Sequence, residues 1–246
     1  MPLIVQQLDW DSEFFGFGVG GLTGSIESVT ALSHALRDAT ERGIRLVYGQ
    51  CAHTDVTSHR LCLELGGRFV DAKRTYSLTL TDAQASSTVL ALPADGGPGS
   101  RRQLRALAWQ SAEFSRYRVD PDMPPGCWRR LYSAWIENSL SGKLADAVLV
   151  EREAGNEDGR IVGMITVSHR GAVGTIGLLG VDARWRRRGI GRRLLLAAAS
   201  CCRSAACTQL AVVTQGDNVS ACRAYEGAGY MIADEQDIFH FWKRSS

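Results

Sequence analysis

Apolar and polar positions fall into two patterned blocks separated by a stretch that follows neither period. In the first block LIVQQL (3–8), RLVYGQCA (45–52) and AKRTYSLTL (72–80) alternate or run apolar, as strands do. SVTALSHALRDATERG (28–43) and SHRLCLELGG (58–67) instead repeat apolar residues every three to four positions, as helices do. The order predicted is strand, helix, strand, helix, strand. The second block predicts helices over about 101–116 and 127–140, strands near 146–152, 160–168 and 172–181, a helix, a strand, a second helix and a final strand pair. SHRG after IVGMITV reads as the turn of an antiparallel hairpin. Between the blocks DAQASSTVLALPADGGPGS (82–100) begins rich in Ser and Ala and ends rich in Pro and Gly, a linker around one short strand. The expected organisation is an α/β module over 1–85, a linker over 86–100 and a second α/β module over 101–246.

Chemistry enters at TIGLLGVDARWRRRGIGRRLLL (175–196), a buried strand running through an arginine-rich, glycine-punctuated turn into an amphipathic helix. The first N–H groups of a helix lack intrahelical partners and sit at its positive end, so a diphosphate can take them directly. Gly189 and Gly191 allow close backbone approach, and Arg186, Arg187, Arg188, Arg192 and Arg193 supply charge for phosphate oxygens. The spacing is neither GxGxxG nor GxxxxGK[ST], which argues against a dinucleotide fold and a P-loop ATPase. Further on, TQLAVVTQGDNVSACRAYEGAGY (208–230) reads as a β-branched strand, a turn, a helix capped by Asp217 or Asn218, and a stop at Gly227 or Gly229. Asn218, Cys222 and Tyr225 share one face of that helix.

Arg186-x-x-Gly189-x-Gly191 after LLGVDARW resembles the acetyl-CoA motif of the GCN5-related N-acetyltransferases, the GNAT superfamily. Ala183 stands where that family often has Pro, and Arg187 where it often has Gly. Asn218, Ala221, Tyr225, Gly229 and Tyr230 match the family's N-x-x-A-x-x-x-Y-x-x-x-G-[FY]. The opening LDWDSEFFGFGVGGL and FSRYRVDPDMPPGCWRRLYSAWIENSL (114–140) are similar to the dTDP-fucosamine acetyltransferase type. The resemblance implies a GNAT fold, with a mixed, mostly antiparallel central sheet flanked by helices, preceded by a smaller, truncated GNAT-like α/β module. It also implies acetyl-CoA as cosubstrate, held by Arg186, Arg187, Arg188, Gly189, Ile190, Gly191, Arg192 and Asn218, with Leu179 and Val181 N–H groups on the pantetheine and thioester carbonyl. Tyr225 would protonate the departing thiolate, and Asp71 would act as base through water, with Asp120 as a second candidate. A phenol is well matched to a thiolate leaving group. The implied acceptor is the amine of a nucleotide-linked amino-deoxy sugar, and the implied assembly a homodimer.

Composition narrows the setting rather than the chemistry. The net charge of +2 gives no reason to expect nucleic acid or an acidic membrane, and only three of the 28 basic residues are lysine. Seven cysteines form no CxxC and no Cys/His metal spacing, so reduced thiols, no metal and a cytoplasmic protein are expected. MPLIVQQLDW has no signal-peptide pattern, and no run of 18 apolar residues occurs. On the acceptor side Arg116 and Arg118 lie near Phe114, Tyr117 and Trp128, a mixture able to clamp phosphate, although residues 128, 132 and 135 also have core spacing. An aminoglycoside or other small-amine acetyltransferase would share every cofactor residue, and a non-catalytic acyl-CoA-binding module remains the reading outside enzymology. Cys222 invites a covalent acyl-enzyme, but no histidine partner is evident beside it.

Overall fold

The computed structural model describes residues 2–81, 90–91, 98–153 and 159–243, so most of the predicted linker lies outside the described residues. The chain divides into two compact units: Met1–Lys73 with Val119–Met123 and Glu235–Ser246, and Arg74–Arg118 with Pro124–Asp234. Strands β4 (Arg68–Thr79) and β10 (Met231–Trp242) contribute residues to both.

In the first unit β1 (Ile4–Gln7), α1 (Asp9–Phe15), β2 (Gly18–Thr23), α2 (Val29–Glu41), β3 (Ile44–Ala52) and α3 (Val56–Glu64) precede β4. β1 is antiparallel to β2, β2 parallel to β3, and β3 antiparallel to β10. The sequence pattern does not show α1 or β2. Three of the six residues of β2 are glycine, so it carries little apolar signal, yet a Cβ on Gly20 would lie 2.5 Å from the Val5 side chain. Leu32, Ala39, Ile44, Cys62 and Phe239 form the dry centre of this unit.

Asp120, weighed from the sequence as a base, is part of that unit's framework. Only 3% exposed, it accepts from His240 Nδ1 at 2.6 Å and from Trp242 Nε1 at 2.8 Å, and Arg68 lies 3.4 Å from its second oxygen. Burial alone would raise its carboxyl, but His240, Trp242 and the Asp122 N–H outweigh burial and hold it below the usual carboxylate range. A carboxylate so enclosed ties Val119–Met123 to His240 and Trp242, with its charge engaged by those partners. His53 and His59 likewise meet one buried carboxylate, Asp237, at 2.8 and 2.5 Å.

The second unit carries the remaining elements: β5 (Leu90–Ala91), α4 (Pro98–Ser111), α5 (Arg116–Val119, whose last residue joins the first unit), α6 (Cys127–Leu140), β6 (Ala147–Arg152), β7 (Ile161–Arg170), β8 (Val173–Val181), α7 (Ile190–Ser204), β9 (Gln209–Gln215) and α8 (Val219–Gly227). Its strands run in the order β4-β9-β8-β7-β6-β5. β5 to β8 pair antiparallel, the hairpin predicted at SHRG among them, and β8 is parallel to β9. The mixed, mostly antiparallel sheet with flanking helices is the expected fold class. The predicted final strand pair is one long strand, β10, because no glycine or proline interrupts MIADEQDIFHFW.

Two glycines set the helices on opposite faces of this sheet. A Cβ on Gly163 would come within 2.6 Å of Ile190 and 2.9 Å of Leu194, so α7 lies close on β7. Gly180 pairs with Met164, next to Gly163 but on the other face, and its missing Cβ would sit 3.0 Å from the Leu107 carbonyl of α4. Ile165, Leu194, Leu195, Ala198, Cys202, Leu210 and Tyr76 belong to the core on the α7 side.

Candidate active site

The site begins with a break in pairing. Between Ile165↔Leu179 and Val167↔Ile176, β8 uses one residue more than β7, a bulge at Gly177 and Leu178. The Thr166 hydroxyl accepts from the Leu178 N–H at 2.8 Å, satisfying the donor that the bulge displaces. Pairing with β9 ends at the same place, at Ile176↔Val212. Beyond it the Asp182 N–H bonds to Val162 on the β7 side at 2.9 Å, so strand alternation turns the N–H groups of Val181 and Leu179 to the opposite edge, where β9 is no longer paired. The two donors proposed from sequence therefore face a gap.

At the end of β8, Asp182 turns the chain. Its carboxylate accepts from the Arg184 backbone at 3.0 Å and from the Arg160 and Arg184 side chains, and the peptide of Ala183 is bonded by Gln110 of α4 at 2.9 Å. Helix α7 then starts at Gly189, whose φ of 75° puts it in the left-handed region, with no side chain capping the helix. Arg186, Arg187, Arg188 and Arg192 are exposed, and among the described residues none of them meets a carboxylate. Arg188 lies flat on Trp185 at 4.6 Å, and the Arg186 Nε reaches the Val181 carbonyl at 3.4 Å. Arg193 differs: its guanidinium bonds Glu151 through both Nε and Nη2, so its charge is already matched. An uncapped helix start ringed by four unmatched guanidinium groups is suited to a diphosphate.

Helix α8 carries the second motif. Asn218 is its cap, accepting from the Ala221 N–H at 3.2 Å, which leaves its amide NH2 as the group available to a ligand. Tyr225 is 4% exposed, with Tyr76 at 5.6 Å and Tyr230 at 5.8 Å between ring centroids. Burial, and then Cys222, push its phenol well above the usual value, so it carries its proton at neutral pH. The Tyr76 hydroxyl donates to Glu226 at 2.8 Å. Cys222 is buried, its Sγ 3.7 Å from the Gln215 carbonyl and 3.7 Å from the Arg74 guanidinium, surroundings without the imidazole a nucleophilic thiol would use.

Asp71, on β4, belongs to the first unit. Arg116 belongs to the second; its guanidinium lies 4.8 Å over the Tyr117 ring and bonds that hydroxyl at 2.7 Å. Close by in sequence, the Trp128 ring has Arg118 at 4.8 Å and Arg129 at 5.0 Å, and Arg129 also lies 5.6 Å from the Trp109 ring. Neither Arg118 nor Arg129 meets a carboxylate among the described residues, whereas Arg101 and Arg105 of α4 both pair with Glu137. Sequence reasoning missed Asp182, Thr166, Gln110, Tyr76 and Trp109. Only Asp182, inside the matched LLGVDARW, had a local signal; the others act through contacts far away in sequence.

The acetyltransferase (GNAT) family model matches residues 105–230, spanning the gap, α7 and α8. The dTDP-fucosamine acetyltransferase of Escherichia coli is 26% identical over 226 residues, covering 92% of both chains. A GCN5-related N-acetyltransferase from Sphaerobacter thermophilus superposes with a TM-score of 0.68 at 17% identity, over 98% of this chain and 77% of that one. A tandem GNAT protein from the clavulanic acid biosynthesis pathway gives 0.59 at 11% identity, over 93% and 76%. No described helix is long and apolar enough to cross a membrane, and no group of three metal-binding side chains occurs among the described residues. The chain belongs to the acetyltransferase (GNAT) family and is an acetyl-CoA-dependent N-acetyltransferase.

Proposed function

We propose that this enzyme transfers the acetyl group of acetyl-CoA to the amine of a nucleotide-linked amino-deoxy sugar by direct attack within a ternary complex. The observation that carries the transfer chemistry is the free edge of β8 beside an uncapped α7. Leu179 and Val181 N–H groups hold the pantetheine and polarise the thioester carbonyl. Arg186, Arg187, Arg188 and Arg192, with the backbone of Gly189, Ile190 and Gly191, hold the pyrophosphate, and the Asn218 amide meets the CoA arm. The amine, deprotonated with Asp71 acting through water, attacks the carbonyl carbon; the C–S bond breaks and Tyr225 protonates the sulfur.

The α4 and α6 side supports an anionic acceptor. Arg116 is held by Tyr117, and Arg118 and Arg129 lie over tryptophan with no carboxylate beside them among the described residues. That surface suits phosphate groups and is unfavourable to a polycationic aminoglycoside. The activity named for the Escherichia coli relative is in line with this choice. The test is incubation with acetyl-CoA and a panel of dTDP- and UDP-linked 3- and 4-amino deoxy sugars plus aminoglycosides, following free thiol and product mass. An acetylated sugar nucleotide is expected. Thiol release with aminoglycosides alone would reverse the acceptor assignment, and acetyl-CoA binding without any acceptor-dependent thiol would reduce the protein to a binding module.

A further inference from the structure

Helix α4 is used on two flanks. On one, Arg101 and Arg105 pair with Glu137 and the Trp109 Nε1 donates to Ser133 at 3.0 Å, binding α4 to α6. On the other, between α4, the start of β7 and the end of β8, lies a groove of about 450 Å³ whose polar lining is Arg102, Gln103, Gln110, Arg160 and Asp182. Gln103 and Gln110 stand two helical turns apart on one face. Each ties down a strand end with its carbonyl: Gln103 Oε1 accepts from the Ile161 N–H at 2.8 Å, and Gln110 Oε1 from the Ala183 N–H at 2.9 Å. A backbone N–H can meet only the oxygen of an amide, so the NH2 end of each side chain is the group left over. Among the described residues neither NH2 meets an acceptor.

The charges of the groove favour the same kind of ligand. Arg102 is exposed and meets no carboxylate among the described residues, and Arg160 gives one nitrogen to Asp182 at 2.8 Å. Asp182 is 4% exposed, and its oxygens accept from Arg160 and from the Arg184 N–H and side chain, so its own charge is matched. The groove therefore offers two guanidinium groups and two amide NH2 groups held in place by their own carbonyls. We infer that it is a second anion-binding site, taking a small molecule that carries carboxylate or phosphate groups. Both are acceptor-only groups to which guanidinium and amide N–H donors bond strongly. None of the lining residues belongs to α7 or α8, which separates this site from the cofactor cradle, and Arg118 and Arg129 are not among them either.

The experiment is calorimetric titration with citrate and with inorganic pyrophosphate at matched ionic strength, with saturating CoA present so that the cradle is filled. At least one of the two anions is expected to bind at one site per chain. Citrate alone would make the ligand a carboxylate, and pyrophosphate alone a phosphoryl compound. Gln103→Glu combined with Gln110→Glu keeps an oxygen for the Ile161 and Ala183 N–H groups but turns each donor into an anion, and is expected to weaken binding at least about thirtyfold. Arg102→Ala, at an exposed side chain, is expected to weaken binding about threefold to tenfold with Tm unchanged, and it carries the test if the double variant does not fold. Arg186→Ala combined with Arg188→Ala should leave the affinity within about twofold. Failure of both anions to bind overturns the proposal, as does binding that Arg102→Ala leaves undiminished. So does binding that is lost with Arg186 and Arg188, or with Arg118 and Arg129, because the anion would then sit elsewhere.

Discussion

β2–α2–β3 and β8–α7–β9 are the same kind of unit, two parallel strands with a helix between them, and they differ most at the start of the helix. Helix α2 begins at Ser28, whose hydroxyl accepts from the Ala31 N–H at 3.2 Å, and no charged residue stands in its first turn. Helix α7 begins at Gly189 with no side-chain cap, beside Arg186, Arg187, Arg188 and Arg192, none of which meets a carboxylate among the described residues. One helix start is closed by its own sequence; the other keeps exposed donors and positive charge to which an anion can bind. The proposed binding site is therefore defined as much by the cap that α7 lacks as by the residues it has.

The strongest way to break that contrast is to give α7 a fixed anion of its own. Gly189→Asp is expected to raise the acetyl-CoA KM about a hundredfold, since a carboxylate some 5 Å from a phosphate at an effective dielectric of ~20 repels by about 3 kcal/mol. Gly189→Asn carries the same backbone strain without the charge and isolates the electrostatic part; equal effects of the two would refute the vacancy argument. Next in size, Arg186→Ala combined with Arg188→Ala is expected to raise that KM roughly tenfold to thirtyfold, about 1 kcal/mol per exposed charged contact, with kcat little changed. The loss should shrink at high salt; a fall in kcat at constant KM would place these arginines elsewhere in the reaction. On the closed side Ser28→Ala should cost about 1 kcal/mol of stability, a Tm lower by about 2–4 °C, and leave the acetyl-CoA KM alone. A change in KM there would mean that α2 is not the inert counterpart described.

How much of this could be read from the chain depends on how locally each feature is encoded. The α7 start, the Asn218 cap and the α8 tyrosine lie in contiguous motifs whose residue types state their geometry, so both segments were legible. β2 was not, because its glycines, which let Val5 approach at Gly20 and the Gly43 carbonyl at Gly18, leave no apolar alternation. The bulge in β8 was equally hidden: TIGLLGV looks like any buried strand, and only the register against β7 reveals the extra residue that turns Leu179 and Val181 toward the gap. Asp120 misled for a related reason. Its partners His240 and Trp242 stand 120 and 122 residues away, so an acid in a proline-rich loop gave no hint of its burial.

Arg187 is the residue at which the demands of fold and ligand oppose each other, and it offers the finest test. Its φ of 63° lies in the left-handed region, where a side chain costs about 1 kcal/mol and where glycine is at home. Arg187→Gly removes that strain but loosens the unfolded chain, which returns about 0.4–1 kcal/mol, so the net gain in stability is at most about half a kcal/mol, or a Tm higher by about 1–2 °C. The same change deletes one guanidinium from the rim of α7 and is expected to raise the acetyl-CoA KM about twofold to threefold. Stability and affinity thus move in opposite directions, which neither a neutral surface arginine nor a structural one would produce. A lower Tm with unchanged KM would mean that Arg187 supports the turn rather than the ligand, leaving three arginines to carry the difference between α7 and α2.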